Sequence, residues 1–409
     1  MIKLRGKYLT ASLLTATISV VAMGAVFSYN LSMPESTKTL SIPTDINEDY
    51  KMELSPPAVT KIRNLKDVKT PIEGYLDDKI VLFYSPDVPD SKTLNGITLY
   101  EPDSGNKNLI YSENKIMQSS ATFGMFSISQ DKTKIITYDK HSCKSGQPFG
   151  IYAYDINKES SIKVADISKE FTVYKYITLG KGEKMSYTAY DGSGWSVDSE
   201  SVIYCIKKED ENAFDFFIYN IKTDSTMKYT LIDSKFNFIT ISMPKLSADR
   251  RYIYFSGHCN SSPLVDSLYR IDLTNKEKKA EWLTDHANYY YLSTDGRKIV
   301  YTDSRINSPK RNIYTFDTLT KEEKVIIENP YCLFDISADG SKIVYTVKNE
   351  NSIDVKMAYL ENDKITNNTT LYRTGLTESI GMAFWNGDGS KIVVESDYGN
   401  NFIIDLEYD

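Results

Sequence analysis

Residues 335–346 read Asp-Ile-Ser-Ala-Asp-Gly-Ser-Lys-Ile-Val-Tyr-Thr. The chain repeats the phrase at 292–302 as Leu-Ser-Thr-Asp-Gly-Arg-Lys-Ile-Val-Tyr-Thr and at 385–395 as Trp-Asn-Gly-Asp-Gly-Ser-Lys-Ile-Val-Val-Glu. Looser copies centre on Asp131, Asp198 and Asp249. In every copy an apolar residue stands three positions before the aspartate: Ile128, Trp195, Leu246, Leu292, Ile336 and Trp385. A short polar turn follows, suited to the positive φ of a tight hairpin. Then comes a β-branched or aromatic strand, such as Ile135-Ile136, Val202-Ile203, Ile299-Val300 or Ile392-Val393. A second phrase trails each copy after a loop of variable length: Ile151 to Asp155, Ile218 to Ile221, Leu268 to Asp272, and Ile313 to Asp317. Leu99 to Asp103 supplies the same phrase for an earlier unit that lacks the aligned turn aspartate.

From Asp249 onward the aspartates recur about every 45 residues, the size of one four-stranded propeller blade. No segment of the body carries a helical period of useful length. The expected fold class is therefore all-β: a single β-propeller spanning residues 55–409, with seven blades starting near Pro71, Phe123, Trp195, Pro244, Tyr289, Leu333 and Met382. Six or eight blades remain as alternatives, because Phe171 to Tyr190 reads as an extra hairpin. It is either a decoration on the third blade or the opening of an eighth. The last unit ends after its third strand, and a segment within Ala58 to Lys69 is expected to supply the fourth and close the ring. An open blade would leave an unpaired edge.

The repeated phrase resembles the TolB-like (WD40-like, PD40) propeller repeat, whose pattern is close to Ser-Pro-Asp-Gly-x-x-Ile-Ala-[Phe/Tyr] followed by Ile-[Tyr/Trp]-x-x-Asp. This chain departs from it at the proline, replaced by Gln130, Ala248, Thr294, Ala338 or Gly387. The resemblance implies the fold and a bias towards binding. It carries over no partner, and the α/β domain that accompanies the propeller in TolB has no counterpart here.

Outside the propeller, Lys3, Arg5 and Lys7 precede an uncharged run from Tyr8 to Tyr29, long enough to cross a hydrocarbon core of about 30 Å. Residues 1–29 are read as a signal peptide or a transmembrane anchor. Both readings put the body outside the cytoplasm, membrane-anchored or secreted. Residues 30–54, rich in Ser, Thr, Pro and acids, read as a flexible extracytoplasmic spacer. The formal charge of −7 argues against a nucleic-acid partner, which needs a basic stripe.

Variable loops on a rigid scaffold are the usual place for recognition, so the candidate binding residues are those expected on the loop face: His141, Cys143, His258, Cys259 and Asp303. Imidazole and thiolate could ligate zinc or copper, but the paired short spacing of a readable site is missing, and no cofactor is expected. A Cys143–Cys259 disulfide is an alternative to separate thiols. No nucleophile elbow or phosphate loop occurs. The expected function is non-catalytic binding of a protein, peptide or glycan through the loop face. The alternative is a propeller lyase or hydrolase using His141, His258 and Asp303, or a metal, at the channel mouth.

Overall fold

The repeated phrase recurs because it is a self-sufficient turn. In residues 335–346 the Ser337 hydroxyl donates to Asp339 Oδ1 at 2.5 Å, and the same oxygen accepts the Ser341 amide at 3.0 Å. The Lys342 amide donates back to Ser337 Oγ at 3.0 Å. The same three bonds occur at Ser129/Asp131, Ser196/Asp198, Ser247/Asp249 and Ser293/Asp295. Asn386 replaces the serine in the last copy. The residue after each aspartate adopts positive φ. It is glycine at 296, 340 and 389, and Lys132, Ser199 and Arg250 in the other three. Burial opposes ionisation of Asp339, but the Ser337 and Ser341 donors outweigh it and bring the carboxyl down to about 2. Ser337→Ala is expected to cost about 1–3 kcal/mol, because it strips a partner from a carboxylate and from the Lys342 amide. Denaturant titration would measure this.

The computed structural model describes residues 55–408 apart from 66, 69, 85–95, 113–125, 140–148, 168–173, 180–182, 189–192, 209–212, 233–234, 260–261, 276, 278, 304–310, 332, 362, 377–379 and 397–398. Positions 1–54, including the expected anchor and spacer, lie outside the described residues. Within the described residues there is no helix, and seven four-stranded antiparallel sheets form a seven-bladed β-propeller. The inner strands are Ile72–Leu76, Phe126–Ile128, Ser193–Trp195, Phe238–Leu246, Ala287–Leu292, Asp335–Ile336 and Ile380–Trp385 in blades one to seven. The extra hairpin is Tyr174–Leu179 paired with Glu183–Thr188 as a separate two-stranded sheet, so it opens no eighth blade.

The core is a set of wedges between blades. Tyr75, Ile80 and Leu82 of blade one pack with Phe384, Val393 and Ile403 of blade seven. Ile203 and Phe216 of blade three pack with Phe238, Phe255 and Tyr269 of blade four. Trp195 and Trp385 are buried at the apolar position of the phrase, and the Trp195 indole donates to Ser127 O of blade two at 2.8 Å.

The seventh blade joins the two ends of the body. Ala58–Asn64 pairs antiparallel with Phe402–Glu407, from Ala58 opposite Glu407 to Asn64 opposite Phe402. Arg63 grips Asp405 with two bonds of 2.8 and 2.7 Å, and the Leu65 amide donates to Asn401 O. Leu65 and Val68 then enter the blade-one/blade-seven wedge.

Two expectations need correction. The inner strand of blade four begins at Phe238 instead of near Pro244. It is kinked by a bulge where Met243 takes φ of 50°, and an inner strand pairs on one side only, which lets it accommodate a proline. With that longer partner, the second strand runs from Tyr252 to Cys259. His258 and Cys259 therefore lie within a strand, not in the loop after it.

Candidate functional site

Each inner strand runs from a blade-to-blade connection down to a turn, which is the aspartate turn of the phrase in blades two to seven and Asp77-Asp78 in blade one, so the turns share one face and the second-to-third connections share the other. The turn face is sewn together from blade to blade. The Asp131 amide donates to Ser199 Oγ, Arg250 reaches back to Ser201 and Asp198, the Asp77 amide donates to Lys132 O, and the Gly387 amide to Asp77 O.

Of the sequence candidates, His141 and Cys143 lie outside the described residues. His258 stands opposite Thr240 of its own blade, with Nδ1 3.2 Å from the Thr240 hydroxyl. Cys259 is buried, its Sγ 3.0 Å from the Tyr269 hydroxyl, within the aromatic wedge of blades three and four. Asp303 is the last residue of the strand Lys298–Asp303 and is buried opposite Ala287. It is thus a strand end and not an exposed loop residue. Among the described residues no group of three or more His, Cys, Asp or Glu side chains is arranged to hold a metal ion. The Cys205 thiol is pushed up by burial and by the Asp215 carboxylate, which removes its nucleophilic form near neutral pH.

Another cluster converges on the axis. Lys132, in the turn of blade two, extends across the channel to Asp335 of blade six, with Nζ 2.7 Å from Oδ2. The same Asp335 oxygen accepts the Trp385 amide of blade seven at 2.9 Å. Gln130, also from blade two, donates to the Tyr291 hydroxyl of blade five at 2.9 Å. Lys245, on the inner strand of blade four, sets its ammonium 5.7 Å from the centre of the Tyr290 ring. Burial, reinforced by the Lys132 charge and partly offset by Asp335, lowers Lys245 to about 8. Burial also lifts the Tyr289 hydroxyl well above the ordinary phenol value, with the Asp335 charge adding to it. These groups sit towards the turn end of the channel.

At the loop end, Glu73 is the second residue of the first inner strand. Burial, and then the charge of Glu395, raise its carboxyl to about 7. Glu395 Oε1 in turn accepts the Ile72 amide at 3.1 Å. A carboxyl raised from its unfolded value binds more protons in the folded state between about pH 4.5 and 7. Its contribution is therefore present below pH 4.5 and is lost as pH rises through 7. Glu73→Gln is expected to raise stability at pH 8 by about 2 kcal/mol and to change it little at pH 5, as thermal melts at the two pH values would show.

The axial residues escaped sequence reading, yet a signal was present. Asp335 and Lys245 each stand four positions before a turn aspartate, where the other copies of the phrase carry Ser127, Gly194, Tyr291 and Phe384. Lys132 occupies the positive-φ position that three copies give to glycine. A charge where a repeat is otherwise small or aromatic marks a side chain with a task of its own.

No family model matches the chain, and no curated protein matches it either. Solved structures do. An oligogalacturonate lyase in complex with manganese is 14% identical over 87% of this chain and 99% of its own, with a TM-score of 0.52. The oligogalacturonate lyase of Vibrio parahaemolyticus is 11% identical over 86% of this chain and 98% of its own, at 0.51. TolB from Acinetobacter baumannii is 12% identical over 80% and 79%, at 0.39. For the two lyases, at these identities, the likeness is one of fold.

Proposed function

We propose that this chain is a non-catalytic binding propeller that takes a protein, peptide or glycan partner on its loop face, outside the cytoplasm. One observation carries the reading: the two faces are built differently. The Ser-x-Asp turns are near-identical and spend their polar groups on themselves and on neighbouring turns. The second-to-third connections vary widely. They run from Tyr84 to Gly96 in blade one and from Asp139 to Phe149 in blade two, but only from Cys259 to Ser262 in blade four. Blade five carries a further long connection, from Asp303 to Asn312, and the extra hairpin is inserted in sequence between blades two and three. A rigid ring with one constant and one variable face suits recognition. Photo-crosslinking residues introduced between Tyr84 and Gly96, or in the turns at Asp295 and Asp339, would test this in intact cells expressing the full chain. A partner captured from the loop positions and not from the turns is expected. Capture from the turns alone overturns the reading.

One observation favours a second reading, that of a propeller lyase or hydrolase. The Glu73 carboxyl, held near half-protonation beside Glu395, can exchange a proton at neutral pH as a general acid or base does. Stoichiometric metal in the purified full chain that vanishes in His141→Ala and His258→Ala would support that alternative.

A further inference from the structure

We propose that the axial channel binds a small monoanionic ligand of the carboxylate class between Lys245 and Lys132, on the loop side of the Lys132–Asp335 bridge. The inference stands apart from the loop-face partner, since it concerns groups on the inner strands and needs no macromolecule.

It starts from charge. Two ammonium groups and one carboxylate meet at the turn end of the channel, contributed by blades two, four and six, which are remote from one another in sequence. Lys132 spends its charge on Asp335 at 2.7 Å. Asp335 is saturated further by the Trp385 amide at 2.9 Å. Lys245 has no carboxylate within ion-pair distance among the described residues, and its ammonium stands 5.7 Å from the centre of the Tyr290 ring. Tyr290 cannot supply a counter-charge: its hydroxyl is committed to Met243 O at 2.6 Å, and its ionisation is driven far up by burial. The residue is half-buried, and withdrawing an ammonium from water even in part is costly unless it is paired. A protein without a use for that charge would carry a small or apolar residue there, as Gly194 and Phe384 do at the equivalent positions.

The surroundings narrow the ligand. Only one charge is in excess, so a monoanion neutralises the site, whereas a dianion meets Asp335 with its second charge. Tyr289 and Tyr291 stay protonated on the blade-five side and present O–H groups, of which Tyr291 already accepts from Gln130. Donors of this kind suit the lone pairs of a carboxylate. The turn end is spanned by the Lys132–Asp335 and Gln130–Tyr291 bonds. Glu73 and Glu395 lie towards the loop ends of their strands, and their negative charge opposes an anion arriving from that side.

Isothermal calorimetry of the full chain with acetate, against sulfate as the dianionic comparison, tests the assignment. Acetate is expected to bind saturably at pH 7, more tightly than sulfate. Because binding needs the protonated form of Lys245, affinity is expected to weaken tenfold or more between pH 7 and pH 9.5. Lys245→Met is expected to abolish the acetate signal with an unchanged or higher melting temperature. Glu73→Gln is expected to tighten acetate binding while leaving the lysines in place. Non-saturable acetate binding, binding that survives in a folded Lys245→Met chain, or tighter binding of sulfate would each overturn the proposal. None of these outcomes bears on whether a partner docks on the loop face.

Discussion

A chain beginning at Thr70, with the closing strand removed, is expected to melt at least about 10 °C below the full protein. Ala58–Asn64 contributes the fourth strand of blade seven, and without it Phe402–Glu407 becomes an open edge. The same deletion removes Leu65 and Val68, both buried in the wedge between blades seven and one. Each such side chain is worth about 1.5–3 kcal/mol on burial. Arg63 goes as well, and with it the pair of hydrogen bonds to Asp405 and the link to Asp103 in blade one. With the lost ladder bonds, a total of about 7 kcal/mol or more corresponds to a shift of this size for a body of several hundred residues. Calorimetry on the two chains side by side decides the point, and equal melting temperatures would mean that the ring is held shut elsewhere. A chain beginning at Leu65 separates the contributions, since it loses the strand and keeps the two buried side chains.

Asp335→Ala is expected to destabilise the fold by about 3–5 kcal/mol, the usual consequence of leaving one member of a buried ion pair without its partner. The loss has two parts. Lys132 remains in the channel close to a second ammonium, that of Lys245, and the Trp385 amide loses its acceptor. Asp335→Asn separates them, because the amide oxygen can still receive Trp385 while the charge is gone. A Lys132→Met/Asp335→Leu double variant is expected to recover more than half of the single-variant loss, because both charges leave together. Urea titrations of the four proteins test the account. A double variant as unstable as Asp335→Ala would show that the amide contact matters more than the charges.

The architecture was readable because a propeller writes its local rules over and over, here six times in seven blades. Ser337, Asp339 and Lys342 make a turn that depends on nothing far away, so the phrase survives in sequence with its spacing intact. The closing strand was readable for a related reason: the last unit was one strand short, and only the region before the first unit carried a suitable segment. The start of blade four was misjudged because Pro244 looked like a boundary, whereas Met243 and Pro244 form a bulge inside a longer strand. That error also displaced His258 and Cys259 from strand to loop. The axial cluster was unreadable as a cluster. Aligning repeats shows which residues are equivalent; it does not show which of them meet over the axis. Lys132 and Asp335 are separated by 203 positions in the chain. Asp303 drew attention as a carboxylate in a loop, but it is a buried strand end, and nothing in its neighbourhood in sequence marks the difference.

Having its first strand completed by its last gives the molecule a particular folding history. Ala58–Asn64 emerges early and has no partner, and each finished blade presents a fresh flank to the next. Only when Phe402–Glu407 has emerged can the circle lock. Until then the folding chain is a growing arc with an adhesive end on either side. It is therefore most vulnerable to mispairing with a second copy once six of the seven blades have formed and the seventh is still incomplete.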